Sequence, residues 1–182
     1  MVLLTALTVL SGGLYPLIVT GIARALFPAE AAGSILGRHG HAVGSSLIGQ
    51  SFTDPGHFWS RPSATTPQPY NGTASTGSNL GPLNPALLEA VKARVAALRT
   101  ADPGNAAPVP ADLVTASASG LDPHISLAAA YYQAARVAHA RGLDVSRVRA
   151  LIAAQSEGRL LGILGEPRVN VLELNLALDA LK

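Results

Sequence analysis

The sequence predicts an α+β architecture: one N-terminal membrane-spanning helix with its exit (residues 1–27), then a single compact domain (residues 28–182) of short strands and about four helices. Three observations carry this. No charged side chain occurs before Arg24. Helix-capping residues stand ahead of apolar stripes at Asn84, Ser126 and Asn170. Between the stripes lie short β-type runs and turn clusters, without an internal repeat.

The uncharged leader, residues 1–23, reaches about 34 Å as a helix, against a hydrocarbon core of about 30 Å. Gly12, Gly13 and Pro16 sit mid-stretch. They would weaken a soluble helix, but a membrane helix tolerates them, and small residues let a neighbouring helix approach closely. The competing reading is a cleaved secretory signal, with Ala29-Glu30-Ala31 as the small-residue site. Against it, no Lys or Arg precedes the apolar run, which also exceeds the usual signal length. A retained helix is the preferred reading. Taken literally, Arg24 and Arg38 point the large domain inward, but so few charges leave the topology open.

Beyond the span, residues 34–36 and 46–48 read as short strands around a turn punctuated by Gly and His. Residues 55–85 form a long loop rich in Pro, Ser, Gly and Asn; Pro62, Pro67, Pro69, Pro82 and Pro85 forbid a regular ladder. Loops of this length are functional surfaces or linkers. A helix then starts with Asn84 as cap and Pro85 in its first position, carries Leu88, Val91, Val95 and Leu98, and ends near Thr100. Asp102-Pro103-Gly104-Asn105 makes a turn, and residues 112–116 read as a strand. A second helix runs from Ser126 to Gly142, a third over residues 146–156, and a fourth follows Asn170 with Val171, Leu174, Leu178 and Leu181.

Composition excludes several functions. A net charge of +2 with eight aromatics among 182 residues lacks the basic stripe of a nucleic-acid binder. Zero cysteine removes disulfides, thiolate metal sites and thiol nucleophiles. Lys92 and Lys182 are the only lysines and neither follows a glycine-rich phosphate loop. His39, His41, His57, His124 and His139 lack metal-ligand spacing and read as turn and surface residues. Arg136, Arg141, Arg147 and Arg149 read as a solvated helical face. Asn71-Gly72-Thr73 is a formal glycosylation sequon. Ser119, Asp122 and His124 could serve a membrane-anchored or secreted serine hydrolase, although no G-x-S-x-G elbow is present. An anchored binding module is a further alternative.

The loop text is more specific. In order, Gly13-Leu14-Tyr15-Pro16, Gly49-Gln50-Ser51-Phe52, His57-Phe58-Trp59-Ser60-Arg61-Pro62, Tyr70-Asn71, Ser78-Asn79-Leu80-Gly81-Pro82, Asp112-Leu113-Val114-Thr115-Ala116-Ser117, Leu121-Asp122-Pro123-His124 and Gly165-Glu166-Pro167-Arg168-Val169-Asn170 resemble the C subunit of the Kdp potassium-transporting P-type ATPase. The resemblance covers nearly the whole chain; Leu127 stands where that family often has proline. It implies a non-catalytic subunit of a high-affinity potassium uptake complex in the bacterial plasma membrane, crossing it once with the C-terminal domain extracytoplasmic. The implied partners are a channel-like subunit, an ATP-hydrolysing P-type subunit and a small membrane peptide. ATP and K⁺ belong to the complex, and no cofactor is assigned to this chain. The family is described as a catalytic chaperone that raises ATP affinity, which an external domain can do only through coupled conformations. The polar loop residues expected at partner surfaces are Arg61, Asn71, Asn79, Asp112, Asp122, Glu166, Arg168 and Asn170. Asp122 and Asn170 also fit as helix caps, and Arg61 and Arg168 as internal ion-pair partners.

Overall fold

The computed structural model describes residues 1–38 and 40–181; His39 of the His39/His41 pair and Lys182 lie outside the described residues. The chain forms two compact units, Met1–Ser45 and Ser46–Lys182.

The first unit begins with one apolar helix, Val2–Leu26, whose most apolar window has a mean hydropathy of 2.0 and is unburied. It consists of α1 (Val2–Val9), a π-helical turn (Leu10–Leu14) and α2 (Tyr15–Leu26). The π turn answers Pro16. That residue has no N–H, and its ring would strike the carbonyl of Gly12 in an unbroken α-helix; the wider turn relieves the conflict. Two hydroxyls in this helix are satisfied internally, Thr5 Oγ1 donating to Met1 O at 3.1 Å and Ser11 Oγ to Leu7 O at 2.6 Å. The one-turn α3 (Pro28–Ala31) follows.

The strands β1 (Ile35–Arg38) and β2 (His41–Ser45) make an antiparallel hairpin pairing Ile35 with Ser45 and Arg38 with His41. The expected strand at residues 46–48 is therefore corrected: it lies earlier in the chain. The turn containing Gly40, at φ +80°, fixes the pairing register, which exhausts β1 at Ser45.

In the second unit the four expected helices are α4 (Pro85–Ala101), α5 (Leu127–Arg141), α6 (Val145–Ala154) and α7 (Val171–Ala180). Each starts on a side chain that accepts backbone N–H groups: Asn84 from Ala86, Ser126 from Ala129, Asp144 from Ser146, Asn170 from Leu172 and Glu173. Thus the third helix begins one residue before Ser146, capped by Asp144. Gly142 closes α5 in the left-handed conformation at φ +63°. The stripe on α4 meets the core only at its far end, with Leu98 buried and Leu88 exposed.

The strands β3 (His124–Ser126), β4 (Ser156–Glu157) and β5 (Arg168–Asn170) form an antiparallel sheet ordered β3-β5-β4, with Ile125 opposite Val169. Residues 112–116 are not a strand; Ala111–Leu113 is a 3₁₀ turn after Pro110 that drops Leu113 into the core. The core joins Phe58, Leu98, Leu113, Ile125, Val137, Val148, Ile152, Val169, Leu174 and Leu178.

Candidate functional site

The most heavily built region is residues 54–61, the segment entering the long loop. Phe58 and Trp59 are buried, yet the segment joins no sheet. Side chains supply the missing ladder. The Phe58 N–H donates to Asn175 Oδ1 at 2.8 Å, and Asn175 Nδ2 donates back to Phe58 O at 3.0 Å. Gln133 repeats the exchange one residue on, accepting from the Trp59 N–H at 2.8 Å and donating to Trp59 O at 3.1 Å. Each amide thus imitates a paired strand residue, leaving both backbone groups satisfied.

Three arginines cover neighbouring carbonyls. Arg136 donates to Pro55 O, to His57 O at 3.1 Å and to Gln133 Oε1 at 2.7 Å. Arg141 Nε donates to Gly56 O at 2.7 Å and Arg94 Nη2 to Ser60 O at 2.9 Å. The guanidiniums of Arg136 and Arg94 lie over the Trp59 ring at 4.8 and 5.5 Å. The expected solvated arginine face is corrected accordingly. Arg147 and Arg149 are exposed, but Arg136 is 6% exposed and Arg141 half-buried, because residues 54–61 need donors that no strand provides. Burial pushes the Arg136 guanidinium down to about 10, against the pull of Asp102 and Asp54. His57 is also drawn in from the expected surface. It stacks on Phe52 at 5.9 Å, and its Nε2 accepts from Arg141, which also grips Asp179 at 2.6 Å.

The segment leads to Arg61, whose Nη1 meets Asp122 Oδ2 at 2.9 Å. Asp122 Oδ1 accepts the His124 N–H at 3.0 Å and faces His124 Nδ1 at 3.2 Å. Burial opposes the Asp122 charge, but His124 and Arg61 outweigh it and hold the carboxyl below its ordinary range. The loops close tightly here: a Cβ on Gly49 would sit 2.8 Å from Asp122 O and 2.4 Å from the Tyr70 ring. Gly120, at φ +68°, would place one 2.5 Å from Thr76 O. Tyr70 donates its hydroxyl to Arg61 O, and burial raises its phenol above its usual value despite Ser60 and Arg94.

The other expected surface residues are mostly engaged inside the domain. Asp112 accepts the Ser126 N–H at 2.7 Å and the Ser126 hydroxyl at 3.1 Å, bracing the α5 cap. Asn170 caps α7 and donates to Ser46 O at 2.8 Å. Asn71 accepts from the backbone and hydroxyl of Thr73 in a tight turn. Arg168 pairs with Glu157 across β5 and β4 at 2.9 Å, and Glu166 receives Arg159 on both oxygens at 2.9 Å. Asn79 is exposed at φ +53°. Among the described residues, Arg61 and Asp122 are the only members of the expected set bonded to one another.

Residues 1–180 match the family described as KdpC, K⁺-transporting ATPase c chain. The chain belongs to this family. A potassium-transporting ATPase KdpC subunit from Polaromonas naphthalenivorans (strain CJ2) is 71% identical over 182 residues, covering all of this chain and 93% of the relative. One from Variovorax paradoxus (strain S110) is 68% identical over 180 residues, covering 99% and 93%. One from Ralstonia nicotianae (strain ATCC BAA-1114 / GMI1000) is 62% identical over 182 residues, covering 100% and 89%.

The side chains of this region bond chiefly to one another and to backbone groups of the same unit. Ser119 Oγ accepts the Leu121 N–H at 3.1 Å and meets Ser117 Oγ at 3.3 Å, and His124 Nδ1 meets Asp122; among the described residues no hydrogen bond joins Ser119 to His124, so the nucleophile-to-base contact is missing. Among the described residues no cluster of His, Asp or Glu could hold a metal ion. Sequence reasoning missed Gln133, Arg94 and Asn175 and placed Arg136 on the solvated side. A signal was present: polar residues on the apolar stripes of helices that otherwise face inward, Gln133 and Arg136 among Ala129, Ala130, Ala134 and Val137.

Proposed function

We propose that this protein is the non-catalytic accessory subunit of an ATP-driven potassium import complex, and that it holds the assembly together. The observation that carries the reading is the family match over nearly the full chain together with an apolar helix of 25 residues, unburied and long enough to cross a bilayer. In this reading the helix anchors the chain as a single span in the bacterial plasma membrane and packs its Gly12, Gly13 and Pro16 region against partner spans. A Cβ on either glycine would meet nothing within 4 Å, so this face is open to a neighbour. The second unit lies outside the cytoplasm and caps the channel-like subunit near ion entry. The P-type ATP-hydrolysing subunit and the small membrane peptide complete the partner set.

Any effect on ATP affinity then passes through coupled conformations of the subunits. Of the two lysines, Lys92 bonds Glu89 on the same helix at 2.9 Å and serves no phosphate loop. Capture of a tagged full-length chain from detergent-solubilised membranes tests the reading. Recovery of the channel-like and ATP-hydrolysing subunits is expected, reduced severalfold by Gly12→Leu with Gly13→Leu. Recovery of neither subunit, or a fully coupled pump purified without this chain, would refute it.

A further inference from the structure

Four large aliphatic side chains stand in the open within five residues: Leu160 (67% exposed), Leu161 (82%), Ile163 (75%) and Leu164 (56%). The other exposed large aliphatics of this unit, Leu47, Leu83, Leu88 and Val145, are scattered. Scattered ones are normal on any surface, whereas a cluster marks a contact. The cluster is also rigidly built. The Leu160 N–H donates to Leu164 O at 2.8 Å, the Leu164 N–H returns to Leu160 O at 3.0 Å, and the Gly162 N–H closes onto Arg159 O at 3.0 Å. Below this tip Arg159 clamps both carboxylate oxygens of Glu166, and Arg168 holds Glu157. Leu161 occupies φ +54°, a conformation that suits the neighbouring Gly162 and strains a leucine. An exposed leucine held under strain returns nothing to the isolated domain, and such strain concentrates where a segment is presented to a ligand.

We propose that residues 159–166 are a preformed knob that inserts into an aliphatic pocket on another subunit of the potassium-transporting ATPase; this rests on the assembly role above. Charge decides between occupants. Segments that settle on anionic lipid carry free Lys or Arg beside the apolar face, and interfacial anchors use Trp or Tyr. Here both flanking arginines are bonded to glutamates, and residues 156–171 contain no lysine and no aromatic. The charge-balanced stem and purely aliphatic tip match a neutral, concave protein surface.

The chain has no cysteine, so Ile163→Cys places a single thiol at the tip. Modification by a polyethylene glycol maleimide, read as a mass shift of this chain, is compared in the isolated full-length protein and in the assembled complex. We expect at least tenfold slower modification in the complex. In addition, Leu161→Asp with Ile163→Asp should cut recovery of partner subunits at least tenfold, while Leu83→Asp, at a 96% exposed site, leaves it unchanged. Thermal unfolding followed by Trp59 fluorescence checks that the variants fold. Equal modification rates in the two states, or undiminished assembly of the double variant, would overturn the proposal. Protection by phosphatidylcholine–phosphatidylglycerol vesicles alone would make lipid the occupant, and protection rising with concentration of the isolated chain would make it a second copy; either overturns it. Failure of the wild-type chain to recover any partner would overturn the assembly role itself, which distinguishes that failure from one of the knob.

Discussion

Replacing Arg136 by methionine tests whether side-chain donors hold residues 54–61 in the core. The methionine keeps most of the packing against Trp59 and removes three charge-assisted hydrogen bonds, to Pro55 O, His57 O and Gln133 Oε1. Bonds of this kind contribute about 1.5–3 kcal/mol each. Burial of the cation works the other way: the fall from 12.5 to about 10 in the folded state, in which lost solvation outweighs the pull of Asp102 and Asp54, corresponds to a net cost of roughly 3 kcal/mol for keeping the charge. The balance is a loss of about 1.5–6 kcal/mol, centred near about 3–4 kcal/mol, in line with removing one partner from a buried charged network. Trp59 is the only tryptophan and lies against Arg136, so its fluorescence reports on the perturbed region during urea unfolding of the full chain in mild detergent. At about 2 kcal/mol per molar urea the midpoint should fall by about 1.5–2 M. Arg149→Met, at an exposed arginine over the Tyr131 ring, should stay within about 0.5 kcal/mol of wild type. A shift for Arg136→Met below about 0.5 M urea would refute the clamp and assign the anchoring to burial of Phe58 and Trp59.

Asn170→Ala removes two cap bonds and the link to Ser46 O from a buried site, and should cost about 2–3 kcal/mol in the same unfolding assay. Asp122 is held below its ordinary value of 3.8, so its contribution is fully present above that pH and fades as pH falls through the lower folded-state value. Asp122→Asn should therefore lower stability by about 1–2 kcal/mol at pH 7 and flatten the acid side of a stability-against-pH curve; an unchanged acid limb would show that the carboxylate is not stabilised there. Leu161→Gly should raise the stability of the isolated chain by up to about 1 kcal/mol by releasing the left-handed strain, while weakening capture of partner subunits; a lower melting temperature would contradict the strain.

What the sequence revealed was local chemistry. Asn84, Ser126, Asn170 and Gly142 mark helix ends because a cap is decided within four residues. The prolines of the long loop likewise announce the absence of a ladder at the place where none forms. The strands of the second sheet escaped because each has three residues or fewer, too short for a period of two to be counted. Arg136 was misread for a different reason. Its partners, Pro55 and His57, lie about eighty positions earlier, and only folding places those carbonyls beneath the helix. Of the loop residues picked out as contact points, Asn170 was also legible as a helix cap and Arg61 and Arg168 as ion-pair partners, because those roles follow from residue type, whereas the brace from Asp112 to Ser126 depends on how the chain folds. The aliphatic knob was not read from the sequence: four large apolar residues among Gly158, Gly162 and Gly165 have neither helical nor strand period, and only the structure shows them exposed.

The π turn at Leu10–Leu14 has a geometric consequence for the whole span. It accommodates one residue more than an α turn, and one residue amounts to about 100° of azimuth. Val2–Val9 and Tyr15–Leu26 are therefore out of phase, and a single helical wheel drawn through both misassigns the side that each half presents. The two halves can face different neighbours although they share one axis. Deleting Gly13 would bring them back into phase and rotate one half by about 100° relative to the other, a change to which hydropathy and helix length are nearly blind.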